Sequence, residues 1–176
     1  MTVSAADLEA VMDLAVEACI AHVAAGGLPF VGVVVEAIGK VISEFGVNRV
    51  QETGDPTAHA EVVAMRGAMT THGLDTLTGT ALLATGEPCG LCYRYAIDHG
   101  VEAIYVAVDR DEVAAFGFDY RASYPAFGIT DEHRAELLRP LPVARGDEPF
   151  TRYLHTTITA RNAPARPATK SRGTPS

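Results

Sequence analysis

Two short runs of residues concentrate the side chains able to do chemistry. The first is His59-Ala60-Glu61, which follows the turn-forming Asp55-Pro56-Thr57. The second is Pro88-Cys89-Gly90-Leu91-Cys92. Cys89 and Cys92 are three apart, so in a first helical turn both sulfurs face one point. The partial positive charge and free N–H groups of a helix start favour thiolates over thiols. Pro88 suits such a start, because the N–H it lacks would have no partner there. Two thiolates and one imidazole fill three corners of a zinc tetrahedron and leave the fourth for water, as a catalytic site requires. Two sulfur anions also cancel the formal charge of the ion and weaken it as a Lewis acid. A base that takes a proton from water is then useful, and Glu61 beside His59 is the candidate.

Other uses of a C-x-x-C pair explain less. A redox pair would account for neither His59-Ala60-Glu61 nor Pro88. A structural zinc site would want two more ligands, and His22, His72, His99, His133 and His155 have no paired partner at metal spacing. Three cysteines make no disulfide framework, and Cys19 reads as a small buried hydrophobe on a helix face.

The two motifs lie 30 residues apart with one strand between them, so two helix starts can sit side by side at one sheet edge. The spacing predicts a helix over 4–25, capped by Ser4, with Leu8, Met12, Ala15, Cys19 and Val23 on one face. Gly26-Gly27 and Pro29 stop it. Phe30–Ile38 and Val41–Val47 read as strands joined by a Gly39-Lys40 turn, and Asn48–Thr57 as a loop. A helix over Ala58–Thr71, a strand at Thr80–Thr85, a helix over Cys89–His99 and a strand at Ala103–Val108 follow. Strands alternating with helices imply an α/β sandwich with some parallel pairing. Beyond Asp109 the pattern weakens. Helices are expected at Asp111–Ala115, Asp131–Leu138 (capped by Thr130) and Glu148–Thr157, with Phe116–Gly128 an aromatic, glycine-containing loop. One domain is expected over 1–159 and a disordered basic tail over 160–176.

Composition narrows the partners. With 48% hydrophobic and 20% charged residues over 176 positions, the chain suits one globular core. Apolar stretches such as Phe30–Val35 break well short of the roughly 20 residues of a membrane span. Met1–Asp7 has no basic residue and leads into no long apolar run, so no secretory signal and a cytoplasmic location are expected. The last 17 residues hold four basic residues and no acid, which leaves ten basic against 22 acidic residues before them. A body that acidic repels phosphate backbones, so a small neutral molecule is expected as substrate rather than nucleic acid.

H-A-E followed by P-C-x-x-C resembles the zinc-dependent cytidine deaminase superfamily, over about residues 5–158. The resemblance implies a three-layer α/β/α fold around a mixed five-stranded sheet. It implies Zn²⁺ held by His59, Cys89 and Cys92, and Glu61 as the catalytic proton shuttle of a hydrolytic deamination in which a ring amino group leaves as ammonia. Asp55–Val62 is similar to both guanine deaminases and tRNA adenosine deaminases. Ala114–Asp119 and Pro149-Phe150 with Tyr153 are similar to the guanine deaminase branch, whose C-terminal segment crosses to a partner subunit and closes the neighbour's site. By that resemblance the chain is a homodimer that converts guanine to xanthine and ammonia. Asp119 is then a second catalytic acid, Asn48 hydrogen-bonds the ring, Phe30 and Ala58 complete the substrate-binding wall, and Tyr153 or Phe150 closes it.

The sequence also departs from that branch. Gly90-Leu91 stands where Pro-Met is usual, Val31-Gly32 where Gly-Ala is usual, and Tyr120 where another acid is common. Tyr124-Pro125-Ala126-Phe127 has no counterpart. A related aminopurine, a triazine, or cytosine or a cytidine-type nucleoside therefore stays open as substrate. Editing of tRNA adenosine is disfavoured by the acidic body, and a non-catalytic zinc module by Glu61.

Overall fold

The computed structural model describes residues 4–162. Its first element is helix α1 (Ala5–Ala24), where the Ser4 side chain accepts the Asp7 N–H as the expected cap. Strand β1 (Val31–Glu36) is buried through Val35, because helices cover both faces of the sheet. Strand β2 is only Gly46–Val47, shorter than the expected Val41–Val47. The Ser43 hydroxyl accepts the Val34 N–H (2.9 Å) and donates to the Glu44 carbonyl (2.8 Å), so a side chain replaces the ladder there. The expected loop after it contains a helical turn, α2 (Val50–Thr53).

Helices α3 (Ala60–His72) and α4 (Gly90–Asp98) flank strand β3 (Thr80–Gly86), and strand β4 (Ala103–Val108) follows. The weakly patterned remainder holds α5 (Arg110–Ala115), a short turn α6 (Ser123–Ala126) inside the expected loop, and α7 (Asp131–Leu137) with its Thr130 cap. Leu138 then turns extended and opens strand β5 (Leu138–Pro140), where the sequence reading had continued the helix. Helix α8 (Glu148–Asn162) runs past Thr157 and takes in the first residues of the expected tail. The rest of that tail, 163–176, lies outside the described residues. No helix among the described residues is long and apolar enough to cross a membrane.

The sheet order is β2-β1-β3-β4-β5, with β1 antiparallel to β2 and β3, and β3, β4 and β5 parallel. It is the expected mixed five-stranded sheet with helices on both sides. Leu8, Met12, Ala15 and Cys19 of α1 meet Val31, Val33, Val35 and Leu83 on one face, and α8 packs on α1. On the other face Val62, Met65 and Ala68 of α3 and Tyr93 and Ala96 of α4 meet Val34, Leu82 and Ile104. The register sets Val31 opposite Val47 and Gly32 opposite Ala84. The start of β1 and the ends of β2, β3 and β4 therefore share one sheet edge. Ligands gather outside the carboxyl ends of parallel strands in open α/β sheets.

Two glycines let α3 reach that edge. A Cβ on Gly46 would lie 2.3 Å from the Ala60 carbonyl oxygen and 2.6 Å from the Ala64 nitrogen, and one on Gly32 would lie 2.9 Å from Glu61 Cα. These are backbone atoms, so the helix would have to move. Gly46→Ala is expected to cost about 1–3 kcal/mol and to lower the thermal midpoint by several degrees. Gly67, inside α3, has open space around it, and Gly67→Ala is expected to raise stability by up to about 1 kcal/mol. Thermal unfolding of both variants checks the contrast.

Candidate active site

His59 is the N-cap residue of α3 and Cys89 that of α4, and both backbones are extended just before their helices. His59 Nδ1 lies 3.4 Å from Cys89 Sγ and 3.5 Å from Cys92 Sγ, and the sulfurs are 3.7 Å apart. All three cysteines of the chain are free. A tetrahedral zinc with bonds of about 2.3 Å to sulfur and 2.0–2.1 Å to nitrogen needs edges of about 3.8 Å between sulfurs and about 3.6 Å between sulfur and nitrogen. The three ligand atoms stand within a few tenths of an ångström of that triangle, and they could hold a metal ion. The donor set and the geometry fit zinc.

Glu61, in the first turn of α3, is buried, and its Oε2 accepts from the Cys92 thiol at 3.3 Å. Burial, and then the negative charge of Cys89, push its carboxyl above the usual carboxylate range. The hydrogen-bonding contact with Cys92, and then that with His59, lowers the Cys89 thiol to about 4, while burial drives Cys92 well up. The hydrogen bond to Cys89 raises the His59 imidazole. The cluster thus puts a buried carboxyl, a thiolate and an imidazole together.

The loop before His59 is braced. Asp55 Oδ1 accepts the Thr57 N–H (2.8 Å) and hydroxyl (2.6 Å), and its Oδ2 pairs with Arg66 of α3 at 2.6 Å. Arg66 also donates to the Thr57 hydroxyl at 2.8 Å.

A pocket of about 250 Å³ opens on this cluster, walled by Leu28, Phe30, Asn48, Glu61, Glu87 and Tyr120 beside His59 and Cys89. Of the expected substrate residues, Phe30 and Asn48 are in its wall. Asn48 Oδ1 accepts the Val50 N–H at 3.1 Å, so the residue also caps its own turn and has its amide N–H groups left for the pocket. Phe150 is buried behind Phe30, with ring centroids 5.5 Å apart.

Three expected residues stand elsewhere. Ala58 lines a groove on the far side of α3, and its carbonyl accepts the Arg49 N–H. Tyr153 leans on Phe118 at 5.3 Å, outside the pocket wall. Asp119 is exposed and gripped by Arg121, whose Nε and Nη2 donate at 2.9 and 2.7 Å, and this pairing holds its carboxyl at about 2. The next side chain, Tyr120, takes the place in the wall. Sequence reasoning met Tyr120 only as a departure from an acid, and it missed Leu28 and Glu87. Those three carry no motif of their own.

A family model described as the cytidine and deoxycytidylate deaminase zinc-binding region matches residues 5–108. The chain belongs to that family. Within it, the chain is 37% identical over 108 residues to a guanine deaminase of Bacillus subtilis, covering 61% of this chain and 68% of that one. A solved guanine deaminase from Nitrosomonas europaea superposes with a TM-score of 0.68 at 26% identity, covering 84% of each chain. A tRNA-specific adenosine deaminase of Aquifex aeolicus is 36% identical over 81 residues, 46% of this chain and 53% of that relative. The family-model match ends at Val108, so Tyr120 and Phe150 lie beyond the residues it covers.

The bracing of the His59 loop has a pH signature. Hydrogen bonds from Thr57, and then Arg66, hold Asp55 at about 2 against an ordinary 3.8. A carboxyl depressed on folding stabilises the fold above its unfolded value and loses that contribution as pH falls through the folded one. The wild-type chain is therefore expected to be more stable than Asp55→Asn above pH 4, with the gap closing between pH 4 and 2. Chemical denaturation across that range measures it.

Proposed function

We propose that the chain is a zinc-dependent hydrolytic deaminase of a free aminopurine base, guanine first, which it converts with water to xanthine and ammonia. The observation that carries this reading is the zinc-sized triangle of His59, Cys89 and Cys92 with Glu61 alongside, at the floor of a pocket of about 250 Å³. Zinc held by those three residues supplies a Lewis-acid position at which water becomes a nucleophile near neutral pH.

Glu61 holds its Oε2 3.3 Å from Cys92 Sγ, beside that position, whereas the Glu87 carboxylate is taken up by Arg134, Tyr93 and the Arg110 backbone. Glu61 takes one proton from the attacking water and passes it to a ring nitrogen; it then takes the remaining proton of the added hydroxyl and passes it to the amine, so that the carbonyl forms as the C–N bond breaks and ammonia leaves. Its burial suits a group that must both accept and release a proton near neutrality. Phe30 and Tyr120 offer apolar faces to a planar ring, and Asn48 offers amide donors to ring oxygen or nitrogen. No lysine or arginine lines the pocket. That wall gives a phosphate no partner, which supports a bare base over a nucleotide or tRNA. The likeness to guanine deaminases supports guanine as the first substrate to test.

Glu61→Ala is expected to lower ammonia release from guanine by at least about a hundredfold, with bound zinc retained. Turnover kept in that variant would remove Glu61 from the reaction. A panel of guanine, cytosine, cytidine and adenosine, read by ultraviolet absorbance, tests the ring. Activity on cytidine or cytosine with none on guanine would overturn the substrate and keep the hydrolysis.

The proposal includes a cytoplasmic homodimer in which the C-terminal segment closes the neighbour's site. It is supported by the likeness of that segment to the guanine deaminase branch. Light scattering is expected to return twice the 18.6 kDa mass of the chain; a monomer at working concentration would reject the exchange.

A further inference from the structure

A buried ionic cluster braces the cysteine loop; its Glu87 also belongs to the pocket wall, but its side chains take no part in the proton transfers proposed above. Glu87, just before Pro88, is fully buried. Its Oε1 accepts from Arg134 Nε at 2.8 Å and from the Tyr93 hydroxyl at 3.2 Å, and Arg134 Nη2 lies 2.7 Å from the same oxygen. Its Oε2 accepts the Arg110 N–H at 2.9 Å. The Arg134 guanidinium also lies over the ring of Tyr124, 5.5 Å from its centroid, and that of Arg110 lies 5.1 Å from it. Held by two cations, Tyr124 points its hydroxyl at the Pro88 carbonyl and donates to it at 2.8 Å.

Its neighbours hold the rest of the loop. The Ser123 hydroxyl accepts the Gly90 N–H at 2.8 Å, and the Tyr120 hydroxyl donates to the Glu87 carbonyl. Three polar backbone groups around Cys89 are thus each engaged by a side chain from residues 120–124. The docking depends on glycine at 90, where a Cβ would meet the Ser123 carbonyl oxygen at 2.3 Å. A buried ion pair is a poor source of net stability, because desolvation offsets the attraction. It does fix direction, and here the direction is that of the backbone carrying Cys89.

We infer that Glu87, Arg134 and Tyr124 are positioning residues, which hold the Cys89–Cys92 turn in its metal-binding shape before any ion arrives. Ligands already in place lose less freedom on binding, so the metal is held more tightly. The inference rests on the zinc reading of the site.

The test uses the full chain, with zinc affinity measured by competition with a chromophoric chelator and site geometry by the absorption of the cobalt(II)-loaded protein. Tyr124→Phe keeps the ring against both guanidiniums and deletes only the bond to Pro88. It is expected to weaken zinc by about tenfold and to shift the cobalt bands, while the metal-free protein melts close to wild type. The double variant Glu87→Gln with Arg134→Met removes both charges together and is expected to do the same. Wild-type affinity and cobalt bands in both variants would overturn the positioning role. So would affinity lost only in step with metal-free stability and with unshifted bands, the mark of a merely structural cluster. A wild-type chain that bound neither ion would instead sink the zinc reading, and the positioning role with it.

Discussion

At Gly32 and Gly46 the backbone of α3 rests on the sheet with no side chain between them. That close approach sets the position of everything chemical. It brings the first turn of α3 down to the edge where β3 ends, so that His59 faces the turn bearing Cys89 and Cys92 and Glu61 enters the same space. A methyl group at Gly46 would meet the Ala60 oxygen at 2.3 Å and one at Gly32 would press on Glu61 Cα at 2.9 Å, so either would displace the turn that carries Glu61. The antiparallel pairing of β1 with its two neighbours then supplies the walls. It sets Phe30, before β1, and Asn48, after β2, at the edge where the cysteine loop leaves β3.

The charges gathered there have a shared logic. A thiolate, a buried carboxyl and an imidazole in one low-dielectric space repel or neutralise one another according to how many protons they share. Glu61 is pushed toward its protonated form while Cys89 is pushed away from its own. A divalent cation among the sulfurs relieves the first tendency and reinforces the second. The cluster therefore links metal affinity to proton release, as expected where ligands must deprotonate to bind.

Legibility in the sequence followed the range of the interactions. The metal-sized triangle of His59, Cys89 and Cys92 was readable because each half is a local pattern, His59-x-Glu61 and Cys89-x-x-Cys92, at a helix start. The Ser4 and Thr130 caps were readable for the same reason. Strand β2 shrank because the Ser43 hydroxyl satisfies Val34 across the hairpin, which hydrophobic patterning does not register. Strand β5 has three residues and no alternation to detect. Asp119 and Tyr120 are adjacent, and only the pull of Arg121 on one of them shows which faces the pocket. Glu87 finds its partner Arg134 47 positions away, a pairing that no local motif announces. The mixed sheet itself came from the resemblance, since alternating elements alone promised only some parallel pairing.

Tyr120 has two duties. Its ring is part of the pocket wall, and its hydroxyl is tied to the carbonyl of Glu87. Under the proposed function, selectivity and metallation are therefore epistatic at this position. A library that randomises residue 120 to change the accepted ring would also sample differences in ion retention. Variants scored as poor catalysts there would include good binders of the new base that have merely lost their metal. Recoding the wall through Leu28 or Asn48, which leave the cysteine loop alone, separates the two traits.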